Sequence, residues 1–123
     1  MTDSEPRDLV LTALYEADRT GQQPDVASLP PKAKRLIAGV VENTADLDRA
    51  IDAASEHWRV DRMPVVDLAI LRLGLYELKF QPDVPVAVIV NEAVRLAKTY
   101  STKRSGAFVN GVLSALAATE RPT

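Results

Sequence analysis

Residues 64–80 read Pro64-Val65-Val66-Asp67-Leu68-Ala69-Ile70-Leu71-Arg72-Leu73-Gly74-Leu75-Tyr76-Glu77-Leu78-Lys79-Phe80. Proline presets a helical φ and lacks the N–H that a first turn leaves unpaired, so Pro64 opens a helix. Val65, Val66, Leu68, Ala69, Ile70, Leu71, Leu73, Leu75 and Leu78 then go nearly all round it. A helix with one apolar stripe lies on a surface, whereas one apolar on every side is enclosed by neighbours. This segment is therefore expected at the centre of an all-α domain.

Toward the C-terminus, Gln81-Pro82-Asp83 reads as a turn, and Pro85 starts a helix that runs to about Tyr100. Ser101 to Arg104 reads as a short polar connection. Ser105 is expected to cap a last helix from Gly106 to about Ala118, with Phe108, Val112 and Leu116 at four-residue spacing. Toward the N-terminus, Ser4 is the expected cap of a first helix with Glu5 and Pro6 in its first turn. Val10, Ala13, Leu14 and Ala17 form its stripe, and Gly21 ends it. Residues 19–30 read as a loop. Pro30-Pro31 precedes a second helix that buries Leu36, Ile37, Val40 and Val41; Thr44 caps a third, with Leu47, Ile51, Ala54 and Trp58 on one face. The sum is a compact single-domain bundle over residues 1–123, of six helices, or seven if the loop carries a short turn.

Composition agrees with one domain. The chain has 123 residues, 46% of them hydrophobic, enough to build a core without disulfides; it has no cysteine. The longest apolar run, Val86 to Val90, is too short to span a bilayer. The start, Met1-Thr2-Asp3-Ser4-Glu5, is acidic and lacks the marks of a secretory signal, so a cytoplasmic location is expected. The net charge of −2 hides an asymmetry: residues 1–62 carry a net −4 and residues 63–123 a net +2. From Ala93 to Thr119 there are Arg95, Lys98, Lys103 and Arg104 and no acid. Such a local patch can hold phosphates even on an acidic protein.

Catalytic patterns are thin. His57 is the sole histidine, and Ala54 stands where a Glu-x-x-His metal pair would need its carboxylate. Asp48, Asp52 and Glu56, at four-residue spacing, read as a solvated ladder rather than a cation site. Gly106 and Gly111 have phosphate-loop spacing, but Val112 occupies the position where that loop needs lysine. No catalytic activity, cofactor or metal is expected. What is left is the junction of the last two helices, where Tyr100 and Phe108 flank the four cations. Cations for phosphates and rings for bases suit single-stranded RNA. A purely architectural reading stands beside it, because Phe108 also has the spacing of a core residue and cations are favoured at helix C-termini.

The same residues carry a family likeness. Leu14-Tyr15, Leu71-Arg72-Leu73-Gly74-Leu75-Tyr76-Glu77-Leu78, Val84-Pro85-Val86, Asn91-Glu92-Ala93-Val94 with Leu96-Ala97-Lys98, and Phe108-Val109-Asn110-Gly111-Val112-Leu113 resemble, in this order, the NusB family of bacterial transcription antitermination factors. The likeness is weak before residue 60 and good from 64 to 116. It implies a heterodimer with NusE, a small-subunit ribosomal protein, that binds the boxA sequence of nascent ribosomal RNA and joins the RNA polymerase antitermination complex. By position, Tyr15 and Asp67 would lie toward NusE, and Arg104 and Phe108 toward RNA. Some members are described as homodimers. The sequence departs from the pattern twice. Where the family usually begins with an RNA-binding arginine cluster, Ser4-Glu5-Pro6-Arg7-Asp8 keeps only Arg7. Where relatives are often acidic before the Phe108 position, this chain has Lys103-Arg104-Ser105. The expectation is that cationic contact has moved to Lys103 and Arg104, with Arg7 a remaining contact. The readings in reserve are a helical protein-interaction module or homodimer with little RNA binding, and the detached domain of a ribosomal RNA methyltransferase.

Overall fold

The computed structural model describes residues 5–56 and 58–122, apart from the side chain of Glu5. Within them the helices are α1 (Glu5–Thr20), α2 (Pro31–Glu42), α3 (Thr44–Ala54), α4 (Val65–Phe80), α5 (Val86–Tyr100) and α6 (Lys103–Glu120), with one 3-10 turn at Val60–Arg62. The expected caps or site roles of Ser4 and His57 lie outside the described residues. The expected bundle of six helices is present, and α4 touches all five others.

The all-round apolar pattern of α4 has the consequence it should. Ile70, Leu71, Leu73 and Leu75 are each at most 1% exposed, and burying each such side chain stabilises the fold by about 1.5–3 kcal/mol. The other helices pack by single stripes: Leu36, Ile37 and Val40 from α2, Leu47 and Ile51 from α3, Ile89 and Leu96 from α5, Val109 and Leu113 from α6. Close approach of α2 to α4 depends on Gly39, where a Cβ would come within 2.3 Å of the Tyr76 ring. The turn after α1 depends on Gly21, at φ +74°.

Four points differ from the sequence reading. Thr44 is the first residue of α3 and not its cap: Asn43 stands at the cap position, and the Thr44 hydroxyl donates to the Val40 carbonyl at 2.8 Å. Val41 is exposed, because the α2 stripe ends at Val40. Helix α3 stops at Ala54, and Trp58 stands outside it; the Ser55 hydroxyl donates to the Trp58 carbonyl (2.6 Å) and accepts its N–H (3.3 Å), closing a tight turn. Helix α6 begins at Lys103 rather than Gly106. Its cap is Thr102, whose hydroxyl accepts the Ser105 N–H, so Ser105 is a buried residue inside the first turn and not the cap.

Charged side chains tie the helices together. Asp48 and Asp52 are not a solvated ladder. Asp48 takes a two-pronged contact from Arg72 at 2.7 and 2.8 Å, and Asp52 accepts the Val60 N–H at 2.6 Å. Asp8 on α1 receives Arg95 (2.5 Å) and the Tyr100 hydroxyl (3.1 Å) from α5. At the far end, Arg121 donates to the carbonyls of Glu77, Leu78, Gln81 and Val84, and so ties the last turn of α4 to the turn that follows it.

Candidate nucleic-acid interface

The site is built at the two-residue connection between α5 and α6. Thr102 is extended (φ −110°, ψ 165°), which turns the chain sharply and starts α6 one residue later. Asp67, in the first turn of α4, lies beneath. It accepts the Ser101 hydroxyl at 2.6 Å on one oxygen and the Ser105 hydroxyl at 2.8 Å on the other. The Thr102 and Ser105 hydroxyls are 2.9 Å apart. Three helices are thereby fixed to one carboxylate, which is 2% exposed.

This anchoring puts Lys103 and Arg104 in the first turn of α6, both exposed. Cations there oppose the positive end of the helix dipole, at a cost of about 0.3–1 kcal/mol each. Neither forms an ion pair among the described residues, and the same holds for Lys98. Lys98 lies close by on α5, its stem against Gly106, where a Cβ would meet it at 3.3 Å. Three unpaired cations and the free N–H groups of a helix start make a strongly anion-attracting corner. Arg95, the fourth cation of the segment, is engaged internally by Asp8 and Glu92.

One turn further along α6, half-buried Phe108 packs against Trp58, with ring centroids 5.6 Å apart and planes tilted by 50°. Trp58 is 45% exposed. The two rings, Pro64, Ser101, Thr102 and Arg104 line a cleft of about 420 Å³. Charge and aromatic surface thus meet at one place. Sequence reasoning brought Lys103, Arg104 and Phe108 together but missed Trp58. The spacing Leu47, Ile51, Ala54, Trp58 continues a buried helical face, and only Ser55, a residue that competes for backbone hydrogen bonds, hinted that the helix stops first.

The other expected site residues stand elsewhere. Arg7 is not in the corner: it is 7% exposed and grips Glu77 at 2.6 and 3.0 Å, with Glu92 at 3.7 Å. Burial works against its charge, but the bonds and charges of Glu77 and Glu92 outweigh this and raise its pKa. A guanidinium so placed already has carboxylate partners inside the fold, away from the cationic corner. Asp67 is buried too, with each of its oxygens taken by a serine hydroxyl. Tyr15 is half-exposed in a separate cleft with Leu11, Thr12, Val66 and Tyr100. Tyr100 is turned away from the cationic corner toward Asp8, whose bond to the hydroxyl raises the tyrosine pKa.

Comparison with known proteins places this geometry. A family model described as the NusB family matches residues 4–118. The transcription antitermination protein NusB of Geobacillus kaustophilus is 41% identical over 122 residues, covering 93% of this chain and 94% of that protein. The NusB protein of Geobacter sulfurreducens is 38% identical over 126 residues, 92% of this chain and 91% of that one. A match to the NusB protein of Agathobacter rectalis is tighter and shorter: 52% identity over 80 residues, spanning 61% of that relative's length. Among solved structures, T. maritima NusB superposes with a TM-score of 0.88 at 34% identity, covering 99% of this chain and 94% of that one. A NusB chain crystallised with NusE and double-stranded RNA superposes with a TM-score of 0.83 at 28% identity, covering 94% of this chain and 96% of that one. A likeness that runs through every helix, and holds at 38–41% identity over more than nine-tenths of the sequence, makes this chain a member of the NusB family.

Proposed function

We propose that this chain is a transcription antitermination factor that binds boxA-type single-stranded RNA of nascent ribosomal transcripts together with NusE. The observation that carries the reading is the first turn of α6, where Lys103 and Arg104 form no ion pair among the described residues and stand beside exposed Trp58 and half-buried Phe108. A fold with no use for RNA has no reason to keep two cations against a helix dipole. The relatives that share the fold are named for antitermination, and one was crystallised with NusE and double-stranded RNA.

The mechanism is assembly rather than catalysis. Phosphates meet Lys103, Arg104 and the N–H groups of the α6 start, while unpaired bases reach the rings, which a closed duplex would not allow. NusE docks on another face, with the cleft around Tyr15, Leu11 and Val66 as the candidate, because it is apolar, open and clear of the cationic corner. The pair then tethers the transcript to RNA polymerase through further factors. A mobility-shift titration with boxA RNA, with and without NusE, at two salt concentrations tests the reading. Expected is salt-dependent binding that tightens when NusE is added. No binding by the pair at low salt refutes it, and leaves a protein-interaction module or homodimer as the role of the fold.

A further inference from the structure

The cleft beside Trp58 has features that phosphate attraction does not need. Trp58 lies in the turn after α3, held there by its two backbone bonds to the Ser55 hydroxyl, and nearly half of its surface is open. An exposed indole beside a second ring offers a flat face on which a base can stack. Phe108 supports it from the α6 side, so the indole is fixed in orientation rather than loose. Arg104, Ser101 and Thr102 are also part of the cleft's lining.

The hydroxyl protons of that lining can be assigned. Ser101 and Ser105 each have one hydroxyl proton, and both go to Asp67, which as a carboxylate only accepts. The 3.0 Å contact between the two serine oxygens therefore carries no proton. Thr102 accepts the Ser105 N–H, and its own proton points at the Ser105 oxygen. Every hydroxyl proton of the cluster is engaged within it, so the Ser101 and Thr102 oxygens have only lone pairs left to offer a ligand in the cleft. Such a lining welcomes N–H donors and repels carbonyl oxygens.

We propose that this cleft is a slot for one unpaired nucleobase that bears an exocyclic amino group, stacked on Trp58, with its amino edge on the Ser101 and Thr102 oxygens and its phosphate on Arg104 and Lys103. The inference rests on the RNA-binding reading above and adds to it a residue, Trp58, and a chemical preference. Stacking supplies affinity for any base, and the hydroxyl lining selects among bases. Cytosine and uracil have the same ring size and differ at C4, amino against carbonyl, so they isolate the lining from the stack.

Trp58 is the sole tryptophan of the chain, so its fluorescence reports on the slot alone. The test titrates the full-length protein, in complex with NusE, with single-stranded hexamers of cytidylate and uridylate at low salt, following both indole emission and mobility shift. Expected are quenching on binding, affinity for cytidylate at least threefold above uridylate, and a loss of roughly 5- to 100-fold in Trp58→Ala. Trp58→Phe should recover most of that loss, and circular dichroism checks that both variants keep the wild-type helicity. A mobility shift with unchanged emission and an unaffected Trp58→Ala overturns the slot while the RNA-binding reading stands. Equal affinity for the two hexamers overturns the amino preference that the proposal asserts. No shift with either hexamer or with boxA RNA overturns both readings together.

Discussion

Lys103 and Arg104 are the clearest case of local frustration in the chain: two cations that gain nothing from the fold they sit in. Reversal of either to Glu should leave the melting temperature unchanged or raise it slightly, since an acid suits a helix start. RNA binding should weaken across sequences, and the slope of log K against log salt should flatten by about 0.7 for each phosphate no longer neutralised. An unchanged slope would show that these residues meet no phosphate. Phe108 is half-buried between the core and Trp58, so Phe108→Ala should lose stability by less than the roughly 3–5 kcal/mol of a fully buried ring, together with RNA affinity. Thermal melts and titrations on the same sample separate the two effects. The sequence announced these three residues by composition alone, because an acid-free run with rings at its edges is visible in one dimension. Where the fold puts Arg7 and Asp67 was hidden for the opposite reason. Whether a charge faces solvent or a buried partner depends on Glu77, 70 residues from Arg7, and on Ser101 and Ser105, more than 30 residues from Asp67.

At the scale of elements, the cationic corner depends on how α4, α5 and α6 are pinned to each other. Asp67 is a positioning residue: its carboxylate accepts from the serines on either side of the α5–α6 connection and so holds the start of α6 in place. Asp67→Ala leaves two buried or half-buried hydroxyls without their acceptor and should cost about 1–3 kcal/mol of stability. It should also weaken RNA binding, since the first turn of α6 loses its anchor. Asp67→Lys, which buries an unpaired cation, should fail to fold. Urea melts of both variants check this, and a fully stable Asp67→Ala would remove the anchoring role. Helix existence was legible throughout, because each stripe repeats at the helical period; α4 was legible as central because it has no polar face. The boundaries were not. Ser105 and Thr102 are both good cap residues, and choosing between them requires knowing that a carboxylate lies under Ser105. The end of α3 was obscured in the same way by a ring that continues the stripe past the last helical turn.

The whole molecule is held by charge as well as by its core, and this gives it a pH dependence. Burial raises the pKa of Asp8, but the bonds from Arg95 and Tyr100 overcome this and hold the carboxyl below its usual range. Its folded pKa is thus below its unfolded one, so the link from α1 to α5 is at full strength above about pH 4 and is lost as pH falls through the folded value. Melting temperatures measured down through that window should fall less steeply for Asp8→Asn than for the wild type; parallel curves would show that the link contributes nothing. The opposite pole of the bundle carries a different lesson. Arg121, close behind the last turn of α6, covers four peptide oxygens where α4 runs out. Arg121→Ala should cost about 1.5–3 kcal/mol and speed hydrogen exchange around Leu78; unaltered exchange there would contradict it. The stretch behind the outermost helix therefore acts as a latch on the innermost rod, and damage to that one guanidinium would loosen the middle of the bundle.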